Sequence, residues 1–379
     1  MGLKAIFDPA NWSGIPFHFW SAVLFWLGCM VGSFLNVCIH RMPLGLSVVS
    51  PPSHCPKCKY SIPWYLNVPL LTWLMLKGRC KNCREPISIR YFLVELLTGV
   101  MFFEVWIRFG GLSPAVPHSP TVALVYCLFL AGLIAATFID FEHFIIPDEI
   151  TIGGMVVGCL LSVVVPQLHG APGEVSVLVA IKRSLIGMGV GAGTIYAILR
   201  AGKLMFGREK VVLPAETRIV FGESSIALPD KEIAYEDLFY RKSDVIVMQA
   251  RTVEIVDRGF WNVEVRLSPD RLLIGGEEFN PEEVKHMEAV SAEIVLPREA
   301  MGFGDVKFMG AIGAFLGWQA TLFSLMLSSM IGAAVGLALI VMRRREWSSR
   351  LPYGPYIALA AVLWLFGGKA IWEAIFAVR

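Results

Sequence analysis

Charged residues are scarce in this sequence. Asp, Glu, Lys and Arg make up 17% of its 379 residues, where soluble globular chains carry about 25%. Hydrophobic residues reach 55% and arrive in long blocks. A string of ordinary soluble domains is therefore excluded, and the bilayer is the relevant solvent. The net charge is only +2, which gives no basis for a nucleic-acid partner. No glycine-rich nucleotide loop is present. No basic run precedes the first apolar block and no small-residue cleavage site follows it. That block is therefore expected to remain as a span rather than leave as a signal peptide.

A helix needs roughly 20 apolar residues to cross a bilayer. Eight stretches qualify as candidates: Phe17–Ile39, Tyr91–Trp106, Thr121–Ile139, Ile150–Val165, Ser184–Leu199, Val306–Trp318, Thr321–Met342 and Tyr356–Val378. The second, fourth and sixth are short or carry a polar residue, so the count is about eight. The expected fold is an α-helical polytopic membrane protein. Basic residues set its orientation. Arg41, Lys57, Lys59, Lys77, Arg79, Lys81, Arg84 and Arg90 follow the first span, and Arg343, Arg344, Arg345 and Arg350 follow the seventh. Both connections are expected in the cytoplasm, with the N-terminus outside. Pro114–Pro120 and Pro166–Glu174 contain no Lys or Arg and suit the outer face. Lys182 and Arg183 oppose the rule and are read as snorkelling side chains.

Half of all the Asp, Glu, Lys and Arg residues fall between 201 and 300. There Asn262–Leu267 and Thr252–Ile255 alternate polar with apolar residues, and Val245–Met248 is a short apolar run. Both patterns read as strands, so residues 201–300 are expected to form a soluble β-rich cytoplasmic insert. Nothing in it resembles an active site. The remaining divisions are a first span at 17–39, a cytoplasmic loop at 40–90, membrane helices at 91–200 and further helices at 301–379.

Four cysteines, Cys29, Cys38, Cys127 and Cys159, lie in apolar spans and read as small packing residues. The other four form two Cys-x-x-Cys pairs, Cys55 with Cys58 and Cys80 with Cys83, separated by 21 residues. This spacing suits a zinc ribbon. Four thiolates leave no open position for water, so the zinc is expected to be structural. Between the pairs, Trp64–Leu76 is apolar and either rests on the membrane surface or packs on the bundle.

Carboxylates near a membrane are costly and are functional candidates by default. Asp140 closes the third span and is followed by Glu142, His143 and Pro147-Asp148. Asp305 opens the sixth span within Gly302-Phe303-Gly304-Asp305-Val306-Lys307. By the topology above, both lie at the cytoplasmic boundary. Two facing carboxylates can share a proton, one activating water and the other polarising a carbonyl. Gly302 and Gly304 allow close backbone approach. Lys307 is placed to bias the charge of Asp305. Asp148 reads as a cap for the fourth span, and Glu142 and His143 as solvated or supporting. A proton-coupled transporter would also use paired carboxylates, but it predicts inverted repeats between the halves, and none is visible. A zinc-ribbon membrane scaffold would leave the glycine-flanked Asp305 without a purpose.

These motifs together resemble the bacterial type IV prepilin peptidases, membrane aspartic peptidases of the Gly-x-Gly-Asp type. Gly32–Val37 with His40-Arg41-Met42-Pro43 is similar to the family's opening motif. Pro51–Cys83, with Ile87–Tyr91 and Glu95, resembles its zinc-binding loop. Ile139-Asp140 with Pro147-Asp148, and Gly302–Lys307, resemble its two aspartate motifs, and Leu351–Tyr356 its closing motif. The resemblance implies removal of a short basic leader from prepilins or type II secretion pseudopilins after a glycine, at the cytoplasmic face of the inner membrane. Asp140 and Asp305 would be catalytic. It also implies N-methylation with S-adenosylmethionine, for which Arg90 and Glu95 are the candidates. The stretch between the two aspartates is longer than the family's usual one, and residues 201–300 account for the excess.

Overall fold

The computed structural model describes residues 17–110, 119–169, 175–229, 231–235, 238–239, 244–255, 258–297, 302–342 and 351–376. Arg343, Arg344, Arg345 and Arg350, and parts of the two connections assigned to the outer face, lie outside these residues. The chain divides into two compact units. One joins Met1–Tyr196 with Phe303–Arg379, and the other is Ala197–Gly302.

The first unit is helical. Its elements are α1 (Phe17–Arg41), the single turn α2 (Leu71–Met75), α3 (Ile89–Phe109), α4 (Pro120–His143), α5 (Asp148–Val164), α6 (Val177–Phe206, whose last residues belong to the other unit), α7 (Phe303–Leu316), α8 (Trp318–Val341), α9 (Gly354–Leu363) and α10 (Lys369–Phe376). Among the described residues, each stretch expected to span is helical over most of its length, and Gly317 interrupts the sixth between α7 and α8. Five are long and apolar enough to cross a membrane: Phe17–Leu44, Pro120–His143, Val177–Leu204, Trp318–Val341 and Gly354–Phe376. The other three differ for identifiable reasons. Helix α3 carries Arg90, Glu95, Glu104 and Arg108, and α5 has only 17 residues. Helix α7 has 14 residues, about 21 Å of rise, against a hydrocarbon core of about 30 Å.

Helix α7 is short because it is enclosed. From Asp305 to Leu316 all but Lys307 are buried. Its Gly313 meets Gly187 of α6 so closely that a Cβ at Gly187 would come within 2.1 Å of the Gly313 carbonyl oxygen. Small residues at such crossings let backbones approach where lipid offers no hydrophobic drive. Ser184 and His169 both hydrogen-bond the Ala314 carbonyl near the end of α7. The last span is not one regular helix. A π turn at Trp364–Gly368, with Gly367 outside helical dihedrals, joins α9 to α10.

The second unit is an antiparallel sheet of eight strands: β1 (Arg208–Phe221), β2 (Ser225–Leu228), β3 (Lys231–Ala234), β4 (Ile246–Ile255), β5 (Arg258–Ser268), β6 (Arg271–Ile274), β7 (Glu277–Phe279) and β8 (Met287–Pro297). Their order is β3-β2-β1-β8-β4-β5-β6-β7. The alternating stretches lie in β4 and β5, as period-two patterning requires. Ile219, Ile226, Val253, Ala289 and Ile294 fill a core of the unit's own. The first residues of the expected insert instead continue α6 to Phe206. Lys203 on that end binds the buried carboxylate of Asp244 at 2.7 Å.

Candidate active site and metal centre

The two Cys-x-x-Cys pairs fold into matching knuckles. In each, the amide of the first cysteine donates to a carbonyl five residues on, Cys55 to Tyr60 and Cys80 to Glu85. In each, the residue after the second cysteine has positive φ, 57° at Lys59 and 61° at Arg84. One isolated bridge closes each knuckle, His54 with Ser61 and Arg79 with Pro86. All four sulfurs lie within 4.8 Å of one another, and the pairs Cys55–Cys83 and Cys58–Cys80 are 3.8 and 4.0 Å apart. A tetrahedral site with Zn–S bonds of about 2.3 Å has sulfur–sulfur edges of about 3.8 Å. The donor set therefore fits a four-thiolate metal. The Tyr60 amide, with the Asn82 side chain, pulls Cys58 down to about 6, and the Cys83 amide lowers Cys80. Cys83 is pushed up to about 12. The Glu85 amide pulls it down, but desolvation and hydrogen bonds to the other three sulfurs outweigh that pull. A central cation relieves this conflict between thiolates.

The aspartates come from two helix ends. Asp140 lies in the last turn of α4, which stops at Phe144 in a left-handed conformation (φ 55°). Asp305 lies in the first turn of α7. Both are buried, with 6% and 8% of their surface exposed. A third element completes the cluster. The Gly354 N–H, at the start of α9, donates to Asp140 Oδ2 at 2.9 Å. It is one of the first amides of α9, which have no intrahelical acceptor, so the carboxylate sits at the positive end of a helix. A Cβ at position 354 would lie 2.8 Å from the same oxygen and 3.0 Å from Ile146 Cδ1, so only glycine permits this approach. Ile146 also packs toward Gly304, whose Cβ position is 3.7 Å from it. The turn between α4 and α5 thus touches the heads of both α7 and α9.

The neighbouring charges are placed differently from the sequence expectation. Asp148 begins α5 without capping it, since Pro147 occupies the N-cap and no side-chain cap bond forms. Its carboxylate pairs instead with Lys307 of α7, whose ammonium also lies 5.4 Å from the centre of the Phe303 ring. Lys307 therefore links the two aspartate motifs. Arg90 pairs with Glu142, tying α3 to the end of α4. Glu95 is buried and accepts the Leu70 N–H at 2.7 Å. The Asp148–Lys307 pair is partly exposed, so a double-mutant cycle with Asp148→Asn and Lys307→Met should give a coupling in thermal unfolding below about 1 kcal/mol. A larger coupling would mean a structural role beyond alignment. Gly354 lies within the closing motif Leu351–Tyr356 but was not named as a site residue.

Comparison with known proteins follows the same division of the chain. The bacterial peptidase A24 N-terminal domain matches residues 26–109, which hold the four-cysteine cluster. The type IV leader peptidase family matches residues 127–212 and 287–337, which hold both aspartates. The interruption in that match falls inside the sheet. A prepilin leader peptidase/N-methyltransferase of Myxococcus xanthus is 46% identical over 153 residues, 40% of this chain and 43% of that protein, so the matched stretch spans less than half of that relative. The protein of the same name from Aeromonas hydrophila is 27% identical over 382 residues, 94% of each chain. A type 4 prepilin-like proteins leader peptide-processing enzyme of Escherichia coli is 40% identical over 154 residues, 35% of this chain and 53% of that protein. No solved structure matches. With both family models matched in chain order around these helix ends, the chain belongs to the type IV leader peptidase family and is a peptidase.

Proposed function

We propose that this enzyme removes the leader from type IV prepilins or type II secretion pseudopilins, cutting after a glycine at the cytoplasmic face of the bacterial inner membrane. Asp140 and Asp305 are the catalytic pair. The observation that carries this reading is that two buried carboxylates stand at helix ends, Asp140 closing α4 and Asp305 opening α7, with the Gly354 amide of α9 bonded to Asp140 and Ile146 packed toward both Gly354 and Gly304. The relatives' names support the substrate class.

In this mechanism one carboxylate is ionised and one protonated. The ionised group takes a proton from water as its oxygen attacks the scissile carbonyl. The protonated group hydrogen-bonds the carbonyl oxygen as negative charge develops there. Collapse of the tetrahedral intermediate breaks the C–N bond, and the departing amine takes a proton from the pair. No covalent bond to the enzyme forms. Gly302 and Gly304 leave room for an extended substrate beside Asp305. Lys307 and Asp148 hold α7 against α5.

The metal is zinc, held by Cys55, Cys58, Cys80 and Cys83, and when bound it cross-links the two knuckles without entering the reaction. The names of the relatives also support methylation of the new N-terminus with S-adenosylmethionine. Arg90 and Glu95, the residues put forward for it, are engaged with Glu142 and with the Leu70 amide. No step of methyl transfer is assigned to them.

The test is incubation of the purified protein with a prepilin, followed by mass spectrometry of the product. The expected product begins just after the leader glycine and gains one methyl group only when S-adenosylmethionine is added. An intact substrate with a folded, zinc-loaded protein would instead favour a membrane scaffold. Cys55→Ser or Cys80→Ser should lower zinc stoichiometry by metal analysis and reduce methylation more than cleavage. Equal loss of both activities would argue against separate sites.

A further inference from the structure

The apolar stretch between the cysteine pairs does not pack into the helical bundle. Trp64 and Met75 are 85% and 79% exposed, and Tyr65, Val68, Leu71 and Leu74 are exposed as well. From Tyr60 to Leu76 there is no Asp, Glu, Lys, Arg or His, whereas Lys57, Lys59, Lys77, Arg79 and Lys81 flank the stretch. A loop in water would not keep six large apolar side chains on its surface without a partner.

Its depth identifies the partner. The Leu70 N–H is bonded to Glu95 Oε2, and Trp73 packs on Phe92 with ring centres 5.2 Å apart. Glu95 lies six residues into α3, about 9 Å from its start at 1.5 Å per residue. A Cβ at Gly32 of α1 would come within 2.8 Å of Glu95 Cα. Gly32 is nine residues before the end of α1, about 13 Å along it. Helix α1 is one of the helices long and apolar enough to span. Leu70 is therefore held about 9 Å along α3, beside a helix long and apolar enough to span. Leu71, Leu74 and Met75 are exposed, as are Ile89, Leu93 and Leu97 of α3.

The hydrogen bonding is what such a depth demands. Inside a bilayer every backbone polar group needs a protein partner. The Leu71, Thr72, Leu74 and Leu76 amides find carbonyls within the segment. The chain reverses at Leu70 with φ 60°, and Glu95 accepts the Leu70 amide at that reversal. A buried carboxylate in a membrane helix thus has a purpose: it replaces the water that a turn would otherwise use.

We propose that Val68–Met75 is a re-entrant anchor that enters the bilayer beside α3, with Glu95 as its receptor. Trp64 and Tyr65 lie at the interface, and the flanking Lys and Arg residues meet anionic headgroups. The metal-binding knuckles are then held against the membrane surface.

Photo-crosslinking tests this with the full-length protein in nanodiscs of phosphatidylethanolamine and phosphatidylglycerol. Met75 or Leu74 is replaced by p-benzoylphenylalanine, with Arg271 of the sheet as the exposed control. Irradiation should give phospholipid adducts by intact mass at Met75 and Leu74, at least fivefold more than at Arg271. Glu95→Ala should reduce the Met75 adduct at least fivefold with zinc content unchanged, and Glu95→Gln, which keeps an acceptor, should retain it. Equal adducts at all positions, crosslinks to a second copy, or the absence of lipid adducts would overturn the anchor. The readout does not depend on cleavage, so its failure is distinguishable from failure of the peptidase reading.

Discussion

Asp140→Asn and Asp305→Asn should each reduce leader removal by about 10²–10⁴-fold, the scale of a lost general acid or base, while insertion and zinc content stay at wild-type levels. Asparagine is nearly isosteric with aspartate, and its carbonyl oxygen can still accept the Gly354 N–H that Asp140 accepts. The packing is therefore kept, and what is lost is the ability to exchange a proton. Each variant should be equally defective because the two groups act as one unit, and such effects do not add. The double variant should be scarcely worse than either single one. Wild-type cleavage by both single variants would eliminate the dyad. The activity should follow a bell-shaped pH profile whose limbs belong to the pair and not to either residue.

Gly354→Ala should lower kcat by about 100-fold with KM little changed. The methyl group would be built 2.8 Å from Asp140 Oδ2 and 3.0 Å from Ile146 Cδ1. Those atoms sit on different elements, so the carboxylate cannot escape one contact without tightening the other. A shift near 1 Å in a catalytic group costs about 10²-fold. A merely structural defect would appear as lower expression or lost zinc with normal turnover in the folded fraction. A positioning defect should appear in kcat and in a displaced pH profile. Normal kcat and an unmoved profile would remove Gly354 from the machinery.

Much of this architecture was legible because it rests on short-range pattern. Apolar blocks of bilayer length gave the helices, paired Cys-x-x-Cys spacing gave the metal knuckles, and alternation at 252–255 and 262–267 gave β4 and β5. The expectation for Asp140 and Asp305 used only their places at span ends. What stayed hidden depends on which helices are neighbours. Gly354 and Asp140 are 214 residues apart, and nothing local reveals that one caps the other. Asp148 looked like a helix cap because Pro147-Asp148 opens a helix, yet its partner is Lys307, 159 residues away. Glu95 gave no sign of its bond to Leu70, because a lone carboxylate in an apolar run is equally consistent with any polar partner. Helix α7 was expected to be short, but its enclosure was not visible, because hydropathy does not distinguish a side chain facing lipid from one covered by other helices.

The pairing of β1 with β8 carries a consequence for how such a chain can change. Arg208 lies opposite Pro297 and Glu209 opposite Leu296, and facing Cα atoms in antiparallel strands are about 5 Å apart. The polypeptide leaves α6, builds an entire sheet, and comes back to within one strand spacing of where it departed. An excursion whose two ends lie side by side can be shortened or lengthened without moving those ends apart.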